Sequence, residues 1–491
     1  MRAIGLAAIL LTAACAARPP VVAPPPAPTV DVDALIRQGC YACLEAAFTA
    51  ASAAGAGEQA FAAALLLVVR SKELGLPPEP WLQRAAAILP RAPEWAAYYD
   101  IANALRPDPL SGGGDALATA DFARPRAGDA WETWREGLKT GPASPVVRSY
   151  LDLSIACRRD GIGRPALDGA SRDAATAAAL QASGPVPLLQ YRVGLCGGAD
   201  LEELDAVRTA DEEFVDADLE LGRRALQNRV PPDLVEGLKR LRSARTAFAT
   251  SPVPPMILGN LHETREEWPD ALAEYDAALA LVTTHLDALL GRTVSLSNLD
   301  RYEDALAAAS ELLELGGRST AQAHYWRAWN LYQLDRIPEA RVDADRAKAL
   351  MVNPALFVLS GMIEWREKRL ESSDAEFVRA IEMDFGQCEA AFYLGTVRWE
   401  RRLWSESLAA FLHAEQCFEL AIVTRKEAIA HLSKTPEEAA SNAAMIASHE
   451  RALERSAMRR AQSTQNIASL QKFIGPLCGP ERGPLFPCSP A

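Results

Sequence analysis

The chain has 491 residues, of which 49% are hydrophobic and 23% charged, with a formal net charge of −13. That length carries two or three domains with well-buried cores, and the composition is ordinary for a folded soluble protein. The acidic balance argues against nucleic acid or an anionic membrane surface as the main partner, and solvated acidic helix faces account for it. Alanine is abundant, β-branched runs are few and Val/Ile alternation is almost absent, which predicts an all-α chain.

The N-terminus reads "MRAIGLAAILLTAAC". One cation, Arg2, precedes an apolar run too short to span a bilayer, which is the shape of a secretory signal. The run ends in Leu11-Thr12-Ala13-Ala14-Cys15 and resembles the lipobox of bacterial lipoproteins, with Thr12 where Leu is commoner. The resemblance implies cleavage before Cys15 and lipidation of Cys15. Ordinary secretion with cleavage at one of the alanines is the alternative. Two or more acyl chains anchor stably, because each buried methylene adds about 0.8 kcal/mol. Residues 16–30, "AARPPVVAPPPAPTV", hold too much Pro for helix or sheet and favour extended polyproline II. At about 3 Å per residue this linker sets the folded body about 40 Å from the lipid surface.

Of the nine cysteines, Cys40, Cys43, Cys157, Cys196, Cys388, Cys417, Cys478 and Cys488 remain after Cys15. An even remainder in an exported chain implies disulfides. Pairing between sequence neighbours is the simplest arrangement: 40 with 43, 157 with 196, 388 with 417, 478 with 488. A metal at Cys40-Tyr41-Ala42-Cys43 would need a second CxxC or a His pair to complete it, and neither is present. A thioredoxin-like motif would need a strand–helix–strand setting that the surrounding pattern lacks.

Residues 31–205 read as an N-terminal helical domain of pairs, some of them divergent repeats. "GCYACLEAAFTAA" and "EQAFAAALLLVVRSKELG" predict two helices and "PEWAAYYDIANAL" a third. Breaks fall at "RPDPLSGGGD", "KTGPASP" and "SGPVP". "SGGGD" is no phosphate loop, since no strand precedes it and no Lys-Ser/Thr follows.

A repeat runs through the next segment. Small residues recur at Ala271, Ala305, Ala340, Ser373 and Ser407, at spacings of 34, 35, 33 and 34. Four further on stand Tyr275, Ala309, Ala344, Phe377 and Phe411, and three beyond those Ala278, Leu312, Ala347, Ala380 and Ala414. Twelve before the first set stand Gly259, Thr293, Ala328, Gly361 and Gly395. Offsets of four and three keep these residues on one helix face, and small residues at a crossing let two backbones approach closely. A pair that cannot bury its face alone must stack on its neighbours.

This pattern, over about residues 252–418, resembles the tetratricopeptide repeat family. Thr293 and Ala328 depart from the usual Gly, and most repeats lack a closing Pro. A further unit precedes, with "ADLELGRRALQN" and "PPDLVEGLKRLRSARTAF" as its helices. The resemblance implies an α-solenoid of antiparallel helix pairs over 206–418. In such a hairpin the start of the first helix lies beside the end of the second, so Cys388 and Cys417 become neighbours. A disulfide closing that loop stabilises by on the order of 3–4 kcal/mol.

After 418 come "ELAIVTRKEAIAHLSK" and a long run opened by Thr435, Pro436 and Glu437, which have the character of a cap, an N1 proline and first-turn acid. That run extends to Phe473 and predicts a long C-terminal capping helix within 419–475. The tail 476–491 is Pro/Gly-rich and irregular.

No catalytic constellation emerges. The histidines never fall at HxxxH spacing, "HETRE" at 262 lacks the second His of a zincin, and there is no GxSxG or P-loop. Neither cofactor nor metal is expected. In the tetratricopeptide family the first helix of each repeat lines a concave groove. Carried over, the resemblance places Asn260 and Glu263, then Asn298, then Tyr325, Trp329 and Tyr332, then Met362, Trp365 and Arg366, and finally Phe392, Trp399 and Glu400 on that face. Aromatics of this kind anchor interfaces, or they form a core, with the C-terminal helix filling the groove. The reading is a non-catalytic scaffold, lipid-anchored in the bacterial envelope, that binds a protein or peptide and no nucleic acid. A glycan-capturing lipoprotein, or an enzyme with its site in residues 31–205, is the alternative.

Overall fold

Among the described residues, helices pair with their sequence neighbours. The structure is a computed structural model and describes residues 30–107, 110, 128–157, 169–183, 186–196, 202–227, 233–317 and 319–474. Every regular element among these is helical, and no strand occurs among them. Cys15, the linker up to residue 29, Cys478 and Cys488 lie outside the described residues.

The N-terminal region is built around one helix. Asp31 caps α1 (Val32–Gln38) by accepting from the Ala34 N–H at 3.0 Å, and Gly39 ends it in the left-handed region at φ 73°. α2 (Tyr41–Ala54) begins at Cys40, whose sulfur accepts from the Cys43 N–H at 3.0 Å. α3 (Gly57–Leu74) is apolar on every side from Ala60 to Val69 and is buried over that whole stretch, the only stable place for such a helix. α4 (Glu79–Ile88), α5 (Ala96–Ala104), α6 (Gly128–Thr140), α7 (Pro145–Ala156), α8 (Gly169–Ser183) and α9 (Pro187–Cys196) share a single core with it. α10 (Glu202–Ala210) leads out of this region.

Six helix pairs follow: α11 (Asp216–Gln227) with α12 (Leu234–Ala247), α13 (Val253–Thr264) with α14 (Trp268–Leu281), and α15 (Leu286–Asn298) with α16 (Tyr302–Leu315). Then come α17 (Thr320–Gln333) with α18 (Ile337–Leu350), α19 (Pro354–Arg366) with α20 (Leu370–Met383), and α21 (Cys388–Glu400) with α22 (Trp404–Leu432). Each pair stacks on the next, which is an all-α solenoid.

The crossing inside each pair is fitted by volume. In three pairs the first helix has Gly where the second has a ring: a Cβ on Gly361 would lie 2.7 Å from Phe377, and one on Gly395 2.8 Å from Phe411. Gly259 meets Tyr275 in the same way. Where the first helix has Thr293 or Ala328, the second has Ala309 or Ala344, and all four are buried. The two departures from Gly are therefore compensated across the crossing. Ser373 and Ser407 tighten their pairs further by donating to the carbonyls of Gly361 (2.8 Å) and Gly395 (2.7 Å).

The turns inside the pairs also repeat. Glu266, Asp300, Asp335, Lys368 and Arg402 all have positive φ, between 56° and 60°. In each, the next N–H reaches back across the helix end, as from Arg336 to the Leu331 carbonyl and from Leu403 to the Arg398 carbonyl, both 2.9 Å. This is the left-handed helix stop that satisfies terminal carbonyls, here made without glycine.

The C-terminal helices differ from the expected layout. α22 does not end with the array at 418 but runs on to Leu432, through a stretch without Gly or Pro. Thr435 and Glu438 form a reciprocal capping box, yet the helix they open, α23, spans only Pro436–Ser441. Asn442 interrupts the expected continuous run by turning its side chain back to donate to the Leu432 carbonyl at 3.1 Å. α24 then runs from Ala443 to Ile474 and packs antiparallel along α22, with Arg460 on Glu419 at 3.1 Å and Thr464 on Glu415.

Three disulfides tie the ends of elements together: Cys40–Cys43, Cys157–Cys196 and Cys388–Cys417, with Cα separations of 4.9, 5.1 and 5.4 Å.

The volume fit predicts a thermodynamic coupling. Gly361→Ala overpacks its crossing and costs about 1–3 kcal/mol. Phe377→Ala costs about 3–5 kcal/mol. The double variant, measured by urea unfolding, is expected to cost less than the sum, because the new methyl enters space the ring has left. Additivity within about 0.5 kcal/mol would remove the coupling.

Candidate functional site

The first helices of the array carry a strip of aromatic and charged side chains that crosses three consecutive pairs. On α17, Tyr325, Trp329 and Tyr332 are half-buried against the core of their own pair, and Tyr325 meets Trp326 edge-on at 5.3 Å. Burial raises the Tyr325 phenol above its ordinary value, so it stays protonated. On α19, Arg366 is exposed, pairs with Asp335 in the turn of the preceding pair and lies 5.9 Å over the Tyr332 ring. Beside it, half-buried Trp365 donates its indole N–H to Glu400 at 2.8 Å, and Lys368 reaches the same carboxylate at 3.2 Å. Trp365 also stands 5.7 Å from the ring of Tyr393 on α21. Tyr332, Arg366, Trp365 and Glu400 are thus one connected surface on rigid helices. Its rings are oriented and its charges paired, yet it retains solvent access.

The other residues expected in the groove are placed differently. Asn260 accepts from the Tyr275 hydroxyl at 3.0 Å, and Glu263 accepts from the same hydroxyl. These two hold the crossing ring of their own pair. Asn298 is exposed, with its amide donated to the Val294 carbonyl at 2.9 Å. Met362 packs with the core beneath Trp365. Trp399 packs edge-on against Trp404, 5.8 Å away, where α21 turns into α22. Phe392 lines no open groove, since it is only 7% exposed, lies against Phe411 and is covered by this chain's own Arg459.

That cover comes from α24. Arg459 stands 4.5 Å over the Phe392 ring, donates to the Tyr393 hydroxyl at 2.9 Å and approaches Glu389 at 3.3 Å. Ile467 and Leu470 join Phe392, Phe411 and Phe418 in one apolar cluster. The C-terminal helix therefore covers the last pair. Sequence reading missed Tyr393, Glu389 and Arg459. The available signal was the spacing of small residues on one face of α24, Ser448, Ala452, Ser456 and Ser463, all buried.

Two other clusters invite chemical readings. His262, Glu267 and Asp270 bring ligating atoms within 4.8 Å of one another. Glu267 is already engaged, accepting from Arg265 at 2.8 Å and lying 2.6 Å from His262 Nδ1, which is the chemistry of a stabilised turn. In the N-terminal region Arg70 is fully buried, stacks 3.7 Å from the Tyr191 ring centroid and pairs with Glu73 and Asp216. Tyr150 and Arg192 complete Glu73, at 2.7 and 2.8 Å. Burial pushes the Tyr150 and Tyr191 phenols well above their ordinary range, so neither ionises near neutrality. A network this enclosed joins elements together. Asp216, which also accepts from the Tyr41 N–H at 2.9 Å, opens the first array helix. Buried Cys40 and Cys43 sit beside it, against Tyr191 and Phe214.

No protein-family profile and no curated protein matches the chain. Solved structures show likeness. YrrB, described as a TPR protein with an unusual peptide-binding site, is 21% identical over 36% of this chain and 91% of its own, with a TM-score of 0.31. A tetratricopeptide repeat protein from Parabacteroides merdae is 18% identical over 50% of this chain and 98% of its own, with a TM-score of 0.37. The Cut9–Hcn1 assembly of the APC/C matches at 11% identity over 88% of this chain and 94% of its own, also at 0.37. At these scores the likenesses carry no argument about what this chain does.

Lys72 gives a pH test of the N-terminal core. It donates to the carbonyls of Ala102, Asn103 and Leu105 at 2.7–2.9 Å, and burial holds it down to about 8 from 10.5. Between those values the unfolded chain keeps a proton that the folded chain has lost, so Lys72's contribution to stability rises with pH and is level on either side. The unfolding free energy of the native chain minus that of Lys72→Met is expected to climb from pH 8 to 10.5. A flat difference would show that Lys72 does not titrate there.

Proposed function

We propose that the chain is a non-catalytic scaffold whose array binds a protein or peptide along the strip from Tyr332 to Trp365. The observation that carries this is the pairing of half-buried aromatics with exposed, oriented charges on consecutive rigid helices. Aromatic anchors and Arg are the residue types that concentrate binding energy. Arg366 suits a backbone carbonyl or a carboxylate, while Trp329, Tyr332 and Trp365 supply apolar area that costs little side-chain entropy on binding. The signal-like N-terminus, Cys15 and the Pro-rich linker support a tethered place in the cell envelope, with the lipid at Cys15 as the anchor. The oxidised cysteine pairs fit that compartment.

The test is affinity capture from detergent-solubilised envelopes, with the native chain beside Trp329→Ala/Trp365→Ala. A partner retained by the native chain and reduced at least about tenfold with a folded variant, equivalent to about 1.4 kcal/mol, is the expected result. A partner held equally by both would place binding elsewhere on the chain.

A further inference from the structure

The array's last helix does not stop. α22 leaves the final pair as a continuous helix, and α24 folds back along it, so the two form one hairpin rooted in the last pair. The root is apolar and covalent. Phe392, Phe411 and Phe418 enclose Ile467 and Leu470 there, and the Cys388–Cys417 bond ties α21 to α22 where the array ends and the extension begins.

The tip of the same hairpin rests on the second of the six pairs. Asn442 accepts from Arg265 at 3.3 Å, while its own amide donates to the last turn of α22, at the Leu432 carbonyl. Buried Ser448 donates to Glu266, the left-handed residue in the turn between α13 and α14. These side-chain contacts span 177 and 182 residues. The tip is held by single side-chain hydrogen bonds, whereas the root is an apolar cluster closed by a disulfide.

We infer that the α22–α24 hairpin is a crossbar over the inner face of the array, hinged at its root and latched at its tip by Asn442–Arg265 and Ser448–Glu266, so that unlatching widens a partner's access to the Tyr332–Trp365 strip, which solvent already reaches. The inference rests on reading that strip as the binding surface. The crossbar joins the last pair to the turn of α13 and α14, and α15, α17 and α19 lie between those two points in the stack. The latch is made of neutral amide and hydroxyl groups on the hairpin side, so a partner that engages Arg265 or Glu266 competes with it directly.

The test is hydrogen–deuterium exchange on the full chain, which needs no partner and so separates failure of the latch from failure of the binding strip. Asn442→Ala/Ser448→Ala is expected to speed exchange over residues 436–452 by about tenfold, equivalent to about 1.4 kcal/mol of lost closure. Residues 459–470 and 388–417 should keep native rates. Glu266→Gly removes one of the two array-side partners of the latch, at a position whose backbone suits glycine, and should give the same tip-only pattern. Unchanged exchange at the tip, or equal acceleration of tip and root, in either variant overturns the inference.

Discussion

The depth of the helix crossings sets everything else in this molecule. Gly361 admits the ring of Phe377, and Gly395 admits that of Phe411, to distances no side chain on the first helix would allow. Each pair is thereby a thin, rigid plate, and plates of equal thickness stack with a constant offset. Where Thr293 or Ala328 stands in place of that Gly, the second helix has Ala309 or Ala344 in place of the ring, and all four are buried. The recurrence of a left-handed turn residue in five successive pairs follows from that regularity. The same chain path between identical plates needs the same backbone, whether the residue is Glu, Asp, Lys or Arg. A left-handed conformation in a non-glycine residue costs on the order of 1–2 kcal/mol, and the surrounding helices sustain it.

Stacking leaves two ends that must be closed. At the start, the array is joined to the N-terminal domain through buried charge: Arg70 of α3 pairs with Asp216 of α11, and Ser251 donates to the Leu74 carbonyl at 2.6 Å. A buried pair of this kind adds little net stability over an apolar replacement, but losing one partner strands a charge, so it fixes which surfaces meet. At the other end the closure is apolar and comes from the chain's own C-terminal helix over Phe392. The inner face is therefore divided. Its last pair is covered, while the strip of Tyr332, Arg366 and Trp365 keeps side chains in reach of solvent.

Much of this was legible because the repeat is a volume pattern as well as a hydrophobic one. The spacing of Ala271, Ala305, Ala340, Ser373 and Ser407 carries the helix pairs, and with them the adjacency of Cys388 and Cys417. The turns were hidden because glycine is the ordinary sequence mark of a left-handed position, and here Glu266, Asp300, Asp335, Lys368 and Arg402 occupy them. The extension of α22 past 418 was masked by the array's own period, although the absence of Gly and Pro up to Leu432 signalled it. The break at Asn442 lies in one side chain reaching across a hairpin, which no local pattern reports. Phe392 and Trp365 occupy neighbouring repeats on one face. Only the fold of α24, fifty and more residues further on, makes one a core residue and leaves the other a surface residue.

The central claim is that the Tyr332–Trp365 strip is surface held ready for a partner, and not core. Equilibrium unfolding of Trp329→Ala/Tyr332→Ala/Trp365→Ala tests it most directly. The account predicts a cooperative transition and native helix content, with a loss below about 2 kcal/mol per ring, less than the roughly 3–5 kcal/mol of a core aromatic. A loss in that core range for each ring, or collapse of the array, would contradict it.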